Sequence, residues 1–178
     1  MTAGIDHIEA RGVVTRDGKL HELDILVLAT GFDAHAWGVD QVVGEGGLSL
    51  RQAWAEGTRT YRSIGMPGFP NFFMLVGPNS PVGNVSLIDV SEVQTRYVMQ
   101  CVGLLREGRA KALAPSAEAT RTFHRSVLGA MPNTVWTTGC KSWYLDEDGV
   151  PITWPWSAKR FHQEMREPNF SDFDRVAT

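Results

Sequence analysis

The sequence predicts an α/β fold, and three observations carry that prediction. Two short continuous apolar runs, Ile25-Leu26-Val27-Leu28 and Phe72-Phe73-Met74-Leu75-Val76, have the length and character of strands buried on both faces. A long stretch from Asn84 or Val85 to Gly108 repeats apolar residues at three- and four-residue steps, the period of a helix. The 178 residues, 43% hydrophobic and 21% charged, have the composition of a globular chain rather than a disordered or fibrous one.

Charge removes further classes. With 17 Lys and Arg against 20 Asp and Glu, the net charge of −3 provides no basic surplus for nucleic acid or an anionic membrane. The start of the chain has no basic segment leading into an apolar one, as a secretory signal would. Residues 63–88 carry no formal charge, yet four prolines and four glycines within them argue against a membrane span. Cys101 and Cys140 are too few for a disulfide framework and lack zinc-ligand spacing, which predicts a reducing, cytoplasmic setting.

In chain order, Gly12 to Arg16 and Lys19 to Leu23 flank Asp17-Gly18, a pair suited to the positive-φ positions of a tight hairpin turn. The run Ile25 to Leu28 reads as a buried parallel strand, ended by Ala29-Thr30-Gly31. A loop-like stretch follows to Leu48. Ser49 with Gln52 forms a capping box for a short helix through Ala55 that stops near Gly57. Phe72 to Val76 reads as the second strand, broken by Gly77-Pro78-Asn79-Ser80-Pro81-Val82-Gly83. In the long helix, Val90, Val93, Tyr97, Cys101 and Leu104 form one stripe, widened by Val98, Val102 and Leu105. A helix from Ser116 to Met131 points Phe123, Val127 and Met131 inward. In the tryptophan-rich remainder, Ser142 to Leu145 alternates as a strand, Asp146 to Gly149 makes a turn, and Ser157 caps a last short helix around Phe161.

The loop Gly77 to Gly83 is the foremost candidate site. In open α/β sheets ligands bind beyond the carboxyl ends of strands, where a starting helix presents free N–H groups and the positive end of its dipole. Gly77 and Gly83 permit close backbone approach, Pro78 and Pro81 fix the path, and Asn79 and Ser80 offer polar contacts. A flat, electron-accepting ring that becomes anionic on reduction suits such a place, and so does a plain strand-to-helix connection. Thr30 and Gly31 carry the same logic after the first strand, with tight packing as the other explanation.

These segments resemble a known family. Gly12 to Gly18 followed by Asp24-Ile25-Leu26-Val27-Leu28-Ala29-Thr30-Gly31-Phe32 is similar to the hairpin and ATGF segment of flavin-containing monooxygenases, particularly the Baeyer–Villiger type. Pro67-Gly68-Phe69-Pro70-Asn71-Phe72-Phe73, then Gly77-Pro78-Asn79-Ser80-Pro81, resembles the segment these enzymes place against FAD. Thr137 to Asp146 with Trp154-Pro155-Trp156-Ser157 is similar to the C-terminal part of one branch. The resemblance is collinear over nearly the whole chain and implies the last third of such an enzyme. The implied fold is part of a two-dinucleotide-binding-domain flavoprotein: residues 1–32 are the exit hairpin and ATGF strand of the NADPH domain, and 33–178 the C-terminal portion of the FAD-binding domain. The implied reaction is transfer of one oxygen atom from a flavin peroxide to a small organic substrate. The implied FAD contacts are Pro78, Asn79, Ser80 and Pro81, with Thr30 and Gly31 near the cofactor or the domain hinge.

The family opens each of its FAD and NADPH domains with GxGxxG. The nearest match here, Gly44-Glu45-Gly46-Gly47-Leu48-Ser49, has Ser49 in place of the last glycine. The FxGxxxHxxxW fingerprint of the Baeyer–Villiger branch does not occur, and the family's catalytic arginine belongs upstream of the ATGF segment, so no catalytic residue is assigned and Arg11 and Arg16 read as exposed charges. The expectation is a partial FAD site with weak or no binding alone, NADP serving only the complete enzyme. No metal site is expected from the scattered histidines. The six tryptophans read as core, with Trp143 or Tyr144 as pocket-lining alternatives. The other hypothesis is a non-catalytic module that self-associates or binds a chain carrying the missing domains, or one chain of a split monooxygenase.

Overall fold

A computed structural model describes residues 3–29, 41–139, 144–146 and 149–176. The chain divides into two compact units, Met1–Asp33 and Ala34–Thr178.

The first unit is a three-stranded antiparallel sheet in the order β1 (Ile5–Glu9), β2 (Gly12–Thr15), β3 (Leu20–Glu22). The β2–β3 hairpin stands where Asp17-Gly18 predicts it, with Val13 opposite His21 and Val14 opposite Leu20. Its turn differs from the expected two-residue form. Gly18 N–H donates to Thr15 O and Thr15 N–H to Lys19 O, and Gly18 alone takes positive φ, at 79°. This is a type I turn closed by a glycine bulge. Gly12 is obligatory for another reason: a Cβ there would stand 2.0 Å from His21 O. β1 pairs with β2 and is exposed throughout, its alternation too weak to be read from sequence.

Beyond β3 the expected buried strand does not form. Ile25, Leu26, Val27 and Leu28 are 79%, 44%, 79% and 75% exposed and belong to no strand. The apolar run records a demand for burial; a ladder also needs neighbouring strands, and none of the described residues supplies one. Thr30 and Gly31 lie outside the described residues.

In the second unit the Ser49 capping box is present, with Gln52 N–H on the Ser49 hydroxyl and the Gln52 side chain accepting from Ser49 N–H. The helix it starts, α1 (Leu50–Ala53), is shorter than expected and ends at Trp54. Phe72 to Val76 is irregular instead of a strand. Asn71 and Val76 bound the run with φ of 59° and 54°, left-handed turns that no ladder accommodates. The segment is held instead by Met74 N–H to Ile64 O and by side-chain bonds.

The long helix is α2 (Leu87–Arg106), closed by Gly108 at φ 68°. All five residues of the expected stripe, Val90 to Leu104, are buried, with Gln94 set among them. α3 (Ala117–Ala130) starts at Ser116, whose hydroxyl accepts from Ala119 N–H, and buries Phe123 and Val127. Met131 is buried in the tight turn that follows. α4 (Ala158–Glu164) is capped by Ser157 as expected and buries Phe161. A two-stranded antiparallel sheet joins β4 (Ala112–Pro115) to β5 (Phe173–Val176), an association of distant segments that local patterning did not reveal. Of the expected strand Ser142 to Leu145, Leu145 bridges Pro151, and Ser142 and Trp143 lie outside the described residues.

The main core packs α2 against α3, α4 and the β4–β5 pair, with Trp154 at its centre in edge contact with Trp156 and Phe161 at 4.8 and 5.3 Å. A smaller cluster of Leu50, Met66 and Phe69 anchors α1. Among the described residues no helix is long and apolar enough to cross a membrane.

Candidate functional site

The loop Gly77 to Gly83 leads into α2, and the structure shows how it is fixed. Gly77 passes so close to Ser63 that a Cβ would lie 2.3 Å from the Ser63 carbonyl oxygen. Pro78, Asn79, Ser80 and Pro81 are all buried. The Pro78 carbonyl accepts from the buried Thr60 hydroxyl at 2.9 Å, and Asn79 N–H donates to Ile152 O at 2.8 Å. The Ser80 carbonyl accepts from Trp154 N–H at 3.2 Å and from the Thr153 hydroxyl at 3.3 Å. The loop is therefore tied to the C-terminal segment around Trp154 before any ligand is considered.

Gln94 completes the fastening from below. Fully buried in the α2 stripe, its Oε1 accepts from Val76 N–H at 2.6 Å and its Nε2 donates to the Ser80 hydroxyl at 3.2 Å. A buried amide with both ends paired stabilises and orients; left unpaired it would cost about 1–3 kcal/mol. Sequence reasoning passed over Gln94, although a polar residue inside an apolar helical stripe is a legible signal.

Asn79 is 4% exposed and adopts φ 68°. Four other non-glycine residues with positive φ, Arg62, Ser63, Asn71 and Val76, occupy the same stretch of chain. Such conformations cost of order 1 kcal/mol each and gather where backbone shape serves a function.

The start of α2 is open. Ser86 occupies the N-cap position but its side chain makes no capping bond. The first helical bond runs from Val90 N–H to Ser86 O, so the N–H groups of Leu87, Ile88 and Asp89 have no partner within the helix. The Asp89 carboxylate partly balances the positive helix end and meets His162 Nε2 at 2.9 Å. At the far end of the loop, a Cβ on Gly83 would stand 3.2 Å from Tyr144 Oη and 3.3 Å from the Trp136 ring. Those two rings are 4.8 Å apart. Tyr144, one of the two pocket-lining alternatives, thus stands beside the loop, with Trp136 as a neighbour that sequence reasoning had placed in the core.

Cys101 and Tyr61 belong to the core. Burial pushes the Cys101 thiol up to about 11, so it is un-ionised at neutral pH. Burial, reinforced by a hydrogen bond to Asp172, holds Tyr61 far above the ordinary phenol range. The glycine-rich Gly44 to Ser49 makes a tight turn at Glu45–Gly47, with Gly44 pressed on Gly68 O and the Phe69 ring, unlike a phosphate loop between strand and helix. Among the described residues no three His, Cys, Asp or Glu side chains gather as a metal-holding group.

Comparison with known proteins now bears on this geometry. No family model matches the chain. It is 44% identical over 175 residues to an uncharacterized monooxygenase of Mycobacterium tuberculosis, covering 98% of this chain and 35% of that protein. It is 34% identical over 177 residues to a Baeyer–Villiger monooxygenase of Streptomyces coelicolor, covering 97% of this chain and 34% of that enzyme. The chain matches the C-terminal part of Baeyer–Villiger monooxygenases. An FAD-binding monooxygenase of Aspergillus niger is 33% identical over 179 residues, 97% of this chain and 29% of that one. Among solved structures, an oxidized steroid monooxygenase bound to NADP superposes with a TM-score of 0.81 at 30% identity, over 98% of this chain and 34% of its own. The chain thus spans about a third of the length of the relatives it matches, and its architecture is the corresponding third of the two-dinucleotide-binding flavoprotein fold.

Proposed function

We propose that this chain supplies the C-terminal third of an FAD- and NADPH-dependent monooxygenase, and that Pro78, Asn79, Ser80 and Pro81 form its side of the FAD site. The observation that carries the assignment is the loop itself: Asn79, 4% exposed, is held left-handed at φ 68° in a segment that Thr60, Gln94, Thr153 and Trp154 tie down. The residues present fit the group. The Asn79 amide can meet a polar ring edge, Pro78 and Pro81 give the loop a fixed apolar contour, and the open N–H groups at the start of α2 favour negative charge nearby. When bound, FAD supplies the redox chemistry and NADPH the reducing equivalents. Thr30 and Gly31 are assigned by the family resemblance to the cofactor side or the domain hinge. Trp136 and Tyr144, beside Gly83, offer an aromatic wall to a small organic substrate.

The 178 residues contain no GxGxxG sequence, so this chain on its own is not expected to bind FAD tightly or to oxidise NADPH. The purified chain should be colourless. Joined by the polypeptide that precedes the matching part of the M. tuberculosis relative, it should yield flavin absorbance and NADPH oxidation, and Asn79→Gly, which keeps the left-handed backbone, should weaken FAD retention by about tenfold. Stoichiometric FAD or turnover by the chain alone would overturn the fragment assignment. A second reading, a self-associating non-catalytic module, is favoured by the exposed run Ile25 to Leu28; a stable homodimer in solution would decide for it.

A further inference from the structure

We infer that Trp154 and Trp156 form a protective path that carries oxidising equivalents from behind the candidate loop to the protein surface. Only the source of the oxidant rests on the proposed flavin site; the path stands on ring geometry within the second unit.

The two rings differ in what surrounds them. Trp154 is fully buried, and its peptide N–H donates to the Ser80 carbonyl, which sets the residue directly behind the loop. Its ring meets Phe123, Phe161 and Trp156 at centroid distances of 6.2, 5.3 and 4.8 Å. Of these three neighbours, the electron-rich indole of Trp156 gives up an electron far more readily than a phenyl ring. Trp156 is half-buried, so its ring reaches water, and the Arg160 guanidinium lies over it at 3.8 Å. Trp154 thus has one oxidisable ring against it among the described residues, and that ring leads outward.

The chemistry follows from burial. A site that activates oxygen sheds oxygen-derived radicals, which are one-electron oxidants, when its reaction goes astray. Such a radical takes one electron from Trp154 and leaves the indole a radical cation. Trp154 Nε1–H donates to the Ser157 carbonyl at 3.3 Å, and a peptide oxygen is too weak a base to take the proton, so the charge stays on the ring. A buried charge without a counter-ion is costly. Transfer of one electron from Trp156 restores Trp154 and moves the charge to a ring that water solvates. Trp156 then loses its N–H proton to water. The Arg160 charge above the ring favours that loss, since it opposes a cation more than a neutral radical, and Glu164, 2.6 Å from Arg160 Nε, tempers its field. A soluble thiol returns one electron and one proton to Trp156, so that the oxidant is reduced and the thiol oxidised. The same core cluster holds Cys101, Met131 and Met165, whose oxidation would place polar groups among packed side chains. Draining the charge to Trp156 spares them.

The test uses the full chain with a ruthenium polypyridyl photo-oxidant attached beside the loop through Asn84→Cys. Cys140→Ser removes a second point of attachment, Cys101 is buried, and Trp136→Phe removes the indole next to Gly83. After a light flash, transient absorption should show a neutral tryptophan radical that added thiol removes. Trp156→Phe should lose most of that signal and raise sulfoxide at Met131 and Met165 in peptide mass maps. Trp156→Tyr, which restores an oxidisable ring, should return a radical that thiol removes and low sulfoxide. An unchanged radical or unchanged sulfoxide in Trp156→Phe overturns the inference. So does a loss that Trp156→Tyr shares, which would reduce Trp156 to packing. The label supplies the oxidant, so the outcome does not depend on FAD. A working path in a chain whose joined form fails to hold FAD sinks the flavoprotein assignment and leaves the path standing; FAD retention without the path does the reverse.

Discussion

Gln94 shows how one side chain positions a loop. It spans two groups that would otherwise be buried without partners, the Val76 N–H and the Ser80 hydroxyl. Gln94→Met keeps the length and loses both bonds, and should destabilise the chain by about 1–3 kcal/mol in urea unfolding; a change below about 0.5 kcal/mol would mean that the loop is held by its bonds to Thr60, Ile152, Thr153 and Trp154 without Gln94. His124 offers a different residue-scale test. Burial, with Arg59 nearby as the second cause, lowers its pKa from the ordinary 6.5, and its Nδ1 is buried without a partner. The fold therefore favours the neutral ring. Its contribution is complete above the unfolded value of 6.5 and is lost as pH falls below it toward the lower folded value. Thermal stability should drop between about pH 7.5 and 5, and His124→Gln should flatten that part of the profile. An unchanged slope in the variant would assign the drop to other groups.

At the scale of elements, the aromatic cluster joins α3, α4 and the segment beneath the loop. Trp154 is fully buried among Phe123, Trp156 and Phe161, and donates Nε1–H to Ser157 O. Trp154→Ala should cost about 3–5 kcal/mol, a large share of the stability of an ordinary domain, and lower the urea midpoint sharply. Trp156→Ala, at a half-buried ring under the Arg160 guanidinium at 3.8 Å, should cost distinctly less; equal losses would deny Trp154 its central place. Helices were the legible part of this architecture. Ser49, Ser116 and Ser157 are N-caps whose chemistry is local, and the stripe Val90 to Leu104 is periodic over several turns. Strands were less legible because a ladder depends on a partner. Ile25 to Leu28 and Phe72 to Val76 are as apolar as buried strands, yet the first finds no partner among the described residues and the second is turned by Asn71 and Val76. β4, four residues ending in proline, forms only because distant β5 arrives to pair with it. The candidate loop was legible from its Pro and Gly spacing, whereas Thr60 and Thr153, which hold it, act across the fold and leave no local pattern, and Gln94 shows only as a polar interruption of the apolar stripe.

At the scale of the whole molecule, the two units differ in what holds them. The second has a main core cluster of sixteen buried side chains, drawn chiefly from α2, α3, α4 and the aromatic cluster. Among its described residues the first unit buries one apolar side chain below a tenth of its surface, Val13 at 7%, beside Thr15 at 8%. A small sheet with so little apolar burial is marginal, because the backbone entropy it loses on ordering, about 1–2 kcal/mol per residue, is barely offset. Apolar burial at about 25 cal/mol/Å² favours the second unit heavily. Amide exchange of the chain alone should therefore show α2 and α3 opening only with global unfolding, while β1, β2 and β3 open locally at much lower free energy. Added denaturant should accelerate the α2 and α3 amides steeply and leave the sheet amides almost indifferent, since local opening exposes little surface. Equal protection in both regions, falling together with denaturant, would show one cooperative structure and require cover for the sheet that its own side chains do not supply. Gly12→Ala sharpens the comparison. Its Cβ would collide with His21 O, so the hairpin should be lost while the exchange of α2 is unaltered.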